Sequence, residues 1–95
     1  MSQQDSPPSQ PRYVRVRIVR EIPERKRVIV SFVQDSSIRH LDYNGKQFTK
    51  FAIPADDFYE HFNSTENGNY QCGRQEFKRY FSRRKPIIVE SLDDI

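Results

Sequence analysis

Cysteine is nearly absent from this sequence, and glycine and histidine are scarce. The single cysteine, Cys72, excludes an internal disulfide and favours a reducing compartment. With one cysteine and two histidines, His40 and His61, at no recognised ligand spacing, we expect no metal ion. The 3 glycines form neither a P-loop nor a dinucleotide fingerprint, so we expect no glycine-rich phosphate loop and no cofactor.

Long apolar runs are also missing. No run approaches the ~20 apolar residues that a helix needs to span a bilayer, so we expect no membrane partner. Residues 1–11 lack the apolar stretch that secretory signals carry, and we therefore expect a cytoplasmic location, or a nuclear one in a eukaryote. The same segment is rich in Ser, Gln and Pro, which predicts a disordered tail.

The candidate catalytic residues do not form a recognisable set. A nucleophile requires a neighbouring base, and the base usually requires a third group that orients it. Cys72, His40 and His61 fall in a predicted loop, a predicted strand and a predicted helix, with no motif around any of them. His40 shares a predicted strand face with Asp42, which is an ordinary surface arrangement. We expect a protein that is not an enzyme.

The apolar patterns predict an α+β fold. Strands are predicted at 12–20, 27–33, 36–43, 46–53 and 87–91, and helices at 54–62 and 74–84. The order β-β-β-β-α-α-β indicates a small, mostly antiparallel sheet with two short helices packed on one face. We assign residues 12–91 to a single domain, between the disordered tail 1–11 and an acidic C-terminal tail at 92–95.

Asn44-Gly45 predicts a type I′ hairpin turn and sets the register of the strands that flank it. In that register Leu41 faces Phe48, and Arg39 faces Lys50. Like charges opposite each other are unfavourable, unless both side chains extend into water or an anion lies between them. Both interpretations stay open at this stage.

Basic residues are concentrated in two segments, although the net charge is only +3. Seven of the 16 Lys and Arg residues fall between Arg12 and Arg27, and six fall between Arg74 and Lys85. In the first segment, apolar residues alternate with Arg15 and Arg17, so one strand face enters a core and the other carries guanidinium groups. In the second, an aromatic stripe is surrounded by basic residues at helical spacing.

These two clusters predict a non-enzymatic binding module that docks a basic face on a polyanion, with nucleic acid as the leading candidate. Arginine in particular binds phosphate through two parallel hydrogen bonds. The predicted contacts are basic residues of both clusters and of the hairpin, together with one aromatic stacking candidate: Tyr13, Arg15, Arg17, Arg39, Lys50, Lys78, Arg79, Arg83 and Arg84.

Two alternatives remain beside this prediction. The basic face could meet an acidic protein, which would make the chain a protein–protein adaptor, assembly factor or regulator. Basic strand residues also protect exposed sheet edges from aggregation, without any ligand. The relative position of the clusters separates these cases. Clusters within a Debye length of about 8–10 Å would make one joint site, and clusters on opposite sides would leave two solvated patches.

Known sequence signatures do not identify the family. The chain has no RNP-type signature, KH loop or helix-turn-helix pattern. The spacing of Gly45, Phe48, Ile53-Pro54 and Phe58 resembles that of the small KTSC module, over less than a third of the chain. We carry no function and no residue role over from that resemblance.

Overall fold

The computed structural model of the protein describes residues 13–84 and 87–88. Both predicted tails and most of the predicted last strand lie outside these residues. The described strands are β1 (Tyr13–Ile22), β2 (Arg27–Phe32), β3 (Leu41–Tyr43), β4 (Lys46–Phe48), β5 (Lys50–Pro54), β6 (Asn63–Ser64), β7 (Tyr70–Gly73) and β8 (Ile87–Ile88). The helices are α1 (Ala55–His61) and α2 (Arg74–Arg83), and a 3-10 turn at Pro23–Arg25 joins β1 to β2.

Six strands form one sheet in the order β6-β7-β1-β2-β5-β8, while β3 and β4 form a separate two-stranded sheet. Every neighbouring pair is antiparallel. β2 lies in the interior of the sheet, as its apolar residues on both faces predict. The predicted α+β architecture, with two helices and a mostly antiparallel sheet, is therefore confirmed.

The helices cover one face of the sheet and enclose the main core. Alternate residues of β1, β2 and β5 point to that face, where Phe51 and Phe58 are the largest fully buried side chains. Phe77 and Tyr80 of α2 are buried in the same cluster, as their helical spacing predicts. Pro54 precedes α1 as its N-cap, so this helix begins one residue later than predicted.

The opposite face of the sheet, which neither of the described helices covers and which we call the helix-free face, carries a smaller apolar cluster. Ile22, Ile29 and Ala52 are buried there, and Val19 packs against them. The register of β1 against β2 shifts between Ile18 and Arg20, so a β-bulge interrupts the alternation at this point. As a result Arg20 and Ile22 lie on the same face as Arg15 and Arg17, despite their even numbers.

The hairpin is shorter than predicted. Asn44 and Gly45 both have positive φ, 52° and 77°, and Leu41 pairs with Phe48, as the turn chemistry predicts. The second hairpin strand ends at Phe48, because the Thr49 carbonyl accepts a hydrogen bond from the Phe32 amide and β5 then pairs with β2. Arg39 lies outside β3, so its predicted pairing with Lys50 is wrong.

Candidate polyanion-binding face

A cross-strand row of polar residues runs over the helix-free face. Arg17 of β1 pairs with Ser31 of β2, and Ser31 pairs with Lys50 of β5. Directly paired residues project to the same face, and neighbouring strands lie about 4.8 Å apart, so the backbones at Arg17 and Lys50 are separated by about 10 Å. Ser31 lies between the two cations and is buried.

Further basic residues extend this row along the strands. Arg27 pairs with both Ile22 and Pro54, and Arg20 pairs with Ile29, so both project to the helix-free face. The paired rows that contain these residues include no carboxylate. Among the residues that the structure describes, none forms an ion pair with Arg17, Arg27 or Lys50. We call Arg17, Arg27 and Lys50 the sheet-face cations.

Arg15 lies on the same face but is held by neighbouring side chains. Its Nε donates to Gln71 Oε1 at 3.2 Å, and its Nη1 lies 3.4 Å from both the backbone oxygen and Oδ2 of Asp35. The guanidinium carbon is also 5.9 Å from the centre of the Tyr13 ring, which is 44% exposed. Gln71 and Asp35 therefore fix the position of the Arg15 guanidinium.

The basic residues of α2 are on the other side of the molecule. Phe77 and Tyr80 pack against the helix-covered face of the sheet, so Lys78, Arg79 and Arg83 point away from it and are exposed. The sheet therefore separates these cations from Arg17 and Lys50. The two basic clusters do not make one joint site. Before its β-bulge, β1 directs its valines toward α2 and its arginines to the opposite face of the sheet.

The last predicted contact, Arg84, directly follows α2 and has a local structural partner. Its Nη1 lies 3.3 Å from Asp57 Oδ2, and the same carboxylate oxygen accepts a hydrogen bond from the Tyr80 hydroxyl at 2.8 Å. Burial and the nearby Asp57 carboxylate raise the pKa of the Tyr80 hydroxyl. This cluster joins α1 to α2, so Arg84 contributes to helix packing. Arg39, in the segment before β3, is exposed.

Two of the groups considered for catalysis, His61 and Cys72, are held in different surroundings. His61 Nδ1 lies 2.6 Å from Glu76 Oε2, so this histidine has the orienting carboxylate that a base requires. The Cys72 thiol, however, is buried, and desolvation together with the Glu76 charge raises its pKa to about 12. A thiol with this pKa keeps its proton near neutral pH and is a poor nucleophile.

Metal and membrane sites are similarly unsupported in the part of the chain that the structure describes. No group of three or more His, Cys, Asp or Glu side chains is close enough there to hold a metal ion. None of the described helices is long and apolar enough to cross a membrane.

The residues of the helix-free face that sequence reasoning omitted include Arg27 and Ser31. The signal for Arg27 was present, since alternation with the buried Val28 and Val30 places it on the opposite face. The signal for Ser31 was absent, because its position between Arg17 and Lys50 depends on strands that are distant in sequence.

Comparison with known proteins does not assign a family. No family model, no curated protein and no solved structure matches the chain. The function is therefore argued from the chemistry of the site alone.

Proposed function

We propose that this protein is a non-enzymatic module that binds single-stranded nucleic acid on the helix-free face of its sheet. The observation that carries the proposal is that the sheet-face cations Arg17, Arg27 and Lys50, from three different strands, project to one face of the sheet. These cations have no ion-pair partner among the described residues. The described paired rows that contain these cations hold no carboxylate, and phosphate groups would supply the opposite charge.

The chemistry of the row suits phosphate oxygens. Arg17 can donate two parallel hydrogen bonds to one phosphate, while Lys50 provides a compact ammonium charge at the other end of the row. A separation of about 10 Å between their backbones allows these long side chains to reach neighbouring phosphates of one strand. Ser31 lies between them, but its hydroxyl is buried and donates to the Phe32 carbonyl at 3.4 Å, so the two cations provide the phosphate contacts.

The shape of the surface favours a single strand over a duplex. The helix-free face is formed by strands, and no described helix lies on it that could enter a major groove. Bases of a single strand stack on exposed aromatic rings, and Tyr13 provides such a ring near the basic row. The proposed contacts are thus Arg17, Arg27 and Lys50 for phosphates, with Tyr13 for stacking.

An acidic protein is the alternative partner for the same cations, and it would make the chain an adaptor or regulator. The two partners differ in their recognition chemistry. A protein carboxylate surface offers no bases for Tyr13 to stack on. The experiment below therefore includes a polyanion without bases.

Fluorescence anisotropy with labelled single-stranded oligonucleotides, measured over a series of salt concentrations, tests this proposal. Three phosphate contacts predict that log K falls with log salt at a slope of about −2 for a single strand. We expect weaker binding to a duplex and to heparin of matched charge. Absence of oligonucleotide binding at low salt would contradict the proposal, and equal binding to heparin would favour the acidic-partner alternative.

A further inference from the structure

A polar cleft of about 320 Å³ lies beside Arg15, two residues before Arg17 on the same face of β1. Arg15 and Gln71, which pair across β1 and β7, form one wall, and Asp35 lies next to them. The segment 65–69, between β6 and β7, forms the other wall with Glu66, Asn67 and Asn69.

Backbone hydrogen bonds close the turn that lines one side of the cleft. The Thr65 amide donates to the Asn69 carbonyl at 2.7 Å, and the Gly68 amide donates to the Thr65 carbonyl at 3.3 Å. Gly68 has a φ of +80°, a conformation that favours glycine. Opposite this turn, Gln71 and Asp35 hold the Arg15 guanidinium through Nε and Nη1, which leaves the Nη2 edge for a ligand.

The charges of the cleft disfavour a phosphate. Asp35 and Glu66 carry two negative charges, whereas Arg15 carries one positive charge that Asp35 already neutralises. A second anion would therefore be repelled. The lining instead combines strong acceptors, the two carboxylates, with guanidinium and amide donors. A flat neutral group that has hydrogen-bond donors on one edge and acceptors on another can pair with both the carboxylates and the guanidinium and amide groups.

Building on the function proposed above, we infer that this cleft binds one base of the bound strand and prefers guanine. Guanine presents N–H donors at N1 and N2, which a carboxylate of Asp35 or Glu66 accepts. Its O6 can accept a hydrogen bond from Nη2 of Arg15, the nitrogen that Gln71 and Asp35 do not engage. Adenine and cytosine lack this combination of an N–H donor pair beside a carbonyl acceptor.

The cleft lies close to the proposed path of the bound nucleic acid. Arg15 and Arg17 are two residues apart on the same face, so their backbones are separated by about 7 Å. A nucleic-acid strand whose phosphates contact Arg17 and Lys50 therefore brings a neighbouring base to the mouth of the cleft. Tyr13 lies on the far side of Arg15, where it can stack on the next base.

The test compares short thymine-rich oligonucleotides that differ only at one central position, which holds guanine, adenine, inosine or an abasic site. We expect the guanine oligonucleotide to bind about 10-fold more tightly than the adenine one. Inosine lacks the 2-amino group and should lose most of this preference. The salt slope should be the same for all four, because the phosphate contacts do not change.

The double variant D35N/E66Q locates the effect in the cleft. Both residues are exposed, so the fold should be retained. We expect the guanine-to-adenine affinity ratio to fall to about 1–2, without weaker binding of the adenine oligonucleotide, because Arg15 is released and the sheet-face cations are intact. The control R17A/K50A should weaken binding to all four oligonucleotides and keep their ratio.

The outcomes separate this inference from the proposed function. Salt-dependent binding without a guanine preference would overturn the inference and leave the proposed function standing. A preference that persists in D35N/E66Q would also overturn it. If none of the four oligonucleotides binds at low salt, the proposed function fails and the inference fails with it.

Discussion

Replacing Arg17 and Lys50 together by glutamate should weaken the binding of single-stranded oligonucleotides at least 100-fold at low salt. Each replacement removes a charge-assisted hydrogen bond, which is worth about 1.5–3 kcal/mol. The two losses amount to about 3 kcal/mol or more, and a tenfold change in Kd corresponds to 1.4 kcal/mol. The new carboxylates also repel the phosphates. Anisotropy titrations of R17E/K50E and of the unmodified protein measure the difference.

The matched control is R79E/R83E, which makes the same change in net charge on α2. These arginines are exposed on the far side of the sheet. Screening limits their influence over that distance to a small general effect. We expect a loss of less than about fivefold for this control. An equal loss in both variants would show that overall charge, rather than the helix-free face, determines binding.

Phe51→Ala should have the largest effect on stability, lowering the free energy of unfolding by about 3–5 kcal/mol. The Phe51 side chain is fully buried, and its ring centroid lies 5.3 Å from that of Phe32, 6.0 Å from that of Phe77 and 5.7 Å from that of Phe81. Its removal opens a cavity between the sheet and α2. Because domains of this size have a total stability of about 5–15 kcal/mol, the loss is a large fraction of it.

Urea denaturation followed by circular dichroism checks this prediction, with Tyr43→Ala as the control. Tyr43 is 55% exposed in the hairpin, and a surface replacement of this kind changes stability by about 0.5 kcal/mol or less. A loss below about 1 kcal/mol for Phe51→Ala would mean that this ring does not join the sheet to α2. The two variants should unfold with similar m-values, since both expose the same surface.

The parts of the fold that local patterns encode were predictable from the sequence. Alternation predicted β1 and β2, the Asn-Gly turn predicted the hairpin, and aromatic spacing predicted α2. β6 and β7 were not predicted, because Asn63–Ser64 and Tyr70–Gly73 are short and polar, and pairing with β1 provides most of their structure. Long-range strand pairing therefore determines the structure of the segment 63–73.

The candidate site was likewise predictable only where a local sequence pattern places its residues. Alternation alone placed Arg15 and Arg17 on one face of β1. That Arg17 and Lys50 lie in one row was not predictable, since it requires β5 to pair with β2 although 17 residues, 33–49, intervene between these strands. The cleft was missed for the same reason, because Arg15, Asp35 and Gln71 come from three separate segments.

The central claim is that nucleic acid binds the helix-free face of the sheet, and a titration of 15N-labelled protein with a thymine-rich oligonucleotide tests it most directly. Amide resonances of residues 15–17, 27–31 and 50–52 should shift progressively with added oligonucleotide, whereas those of residues 74–83 should stay in place. Shifts concentrated in residues 74–83, with the three strands unchanged, would contradict the account.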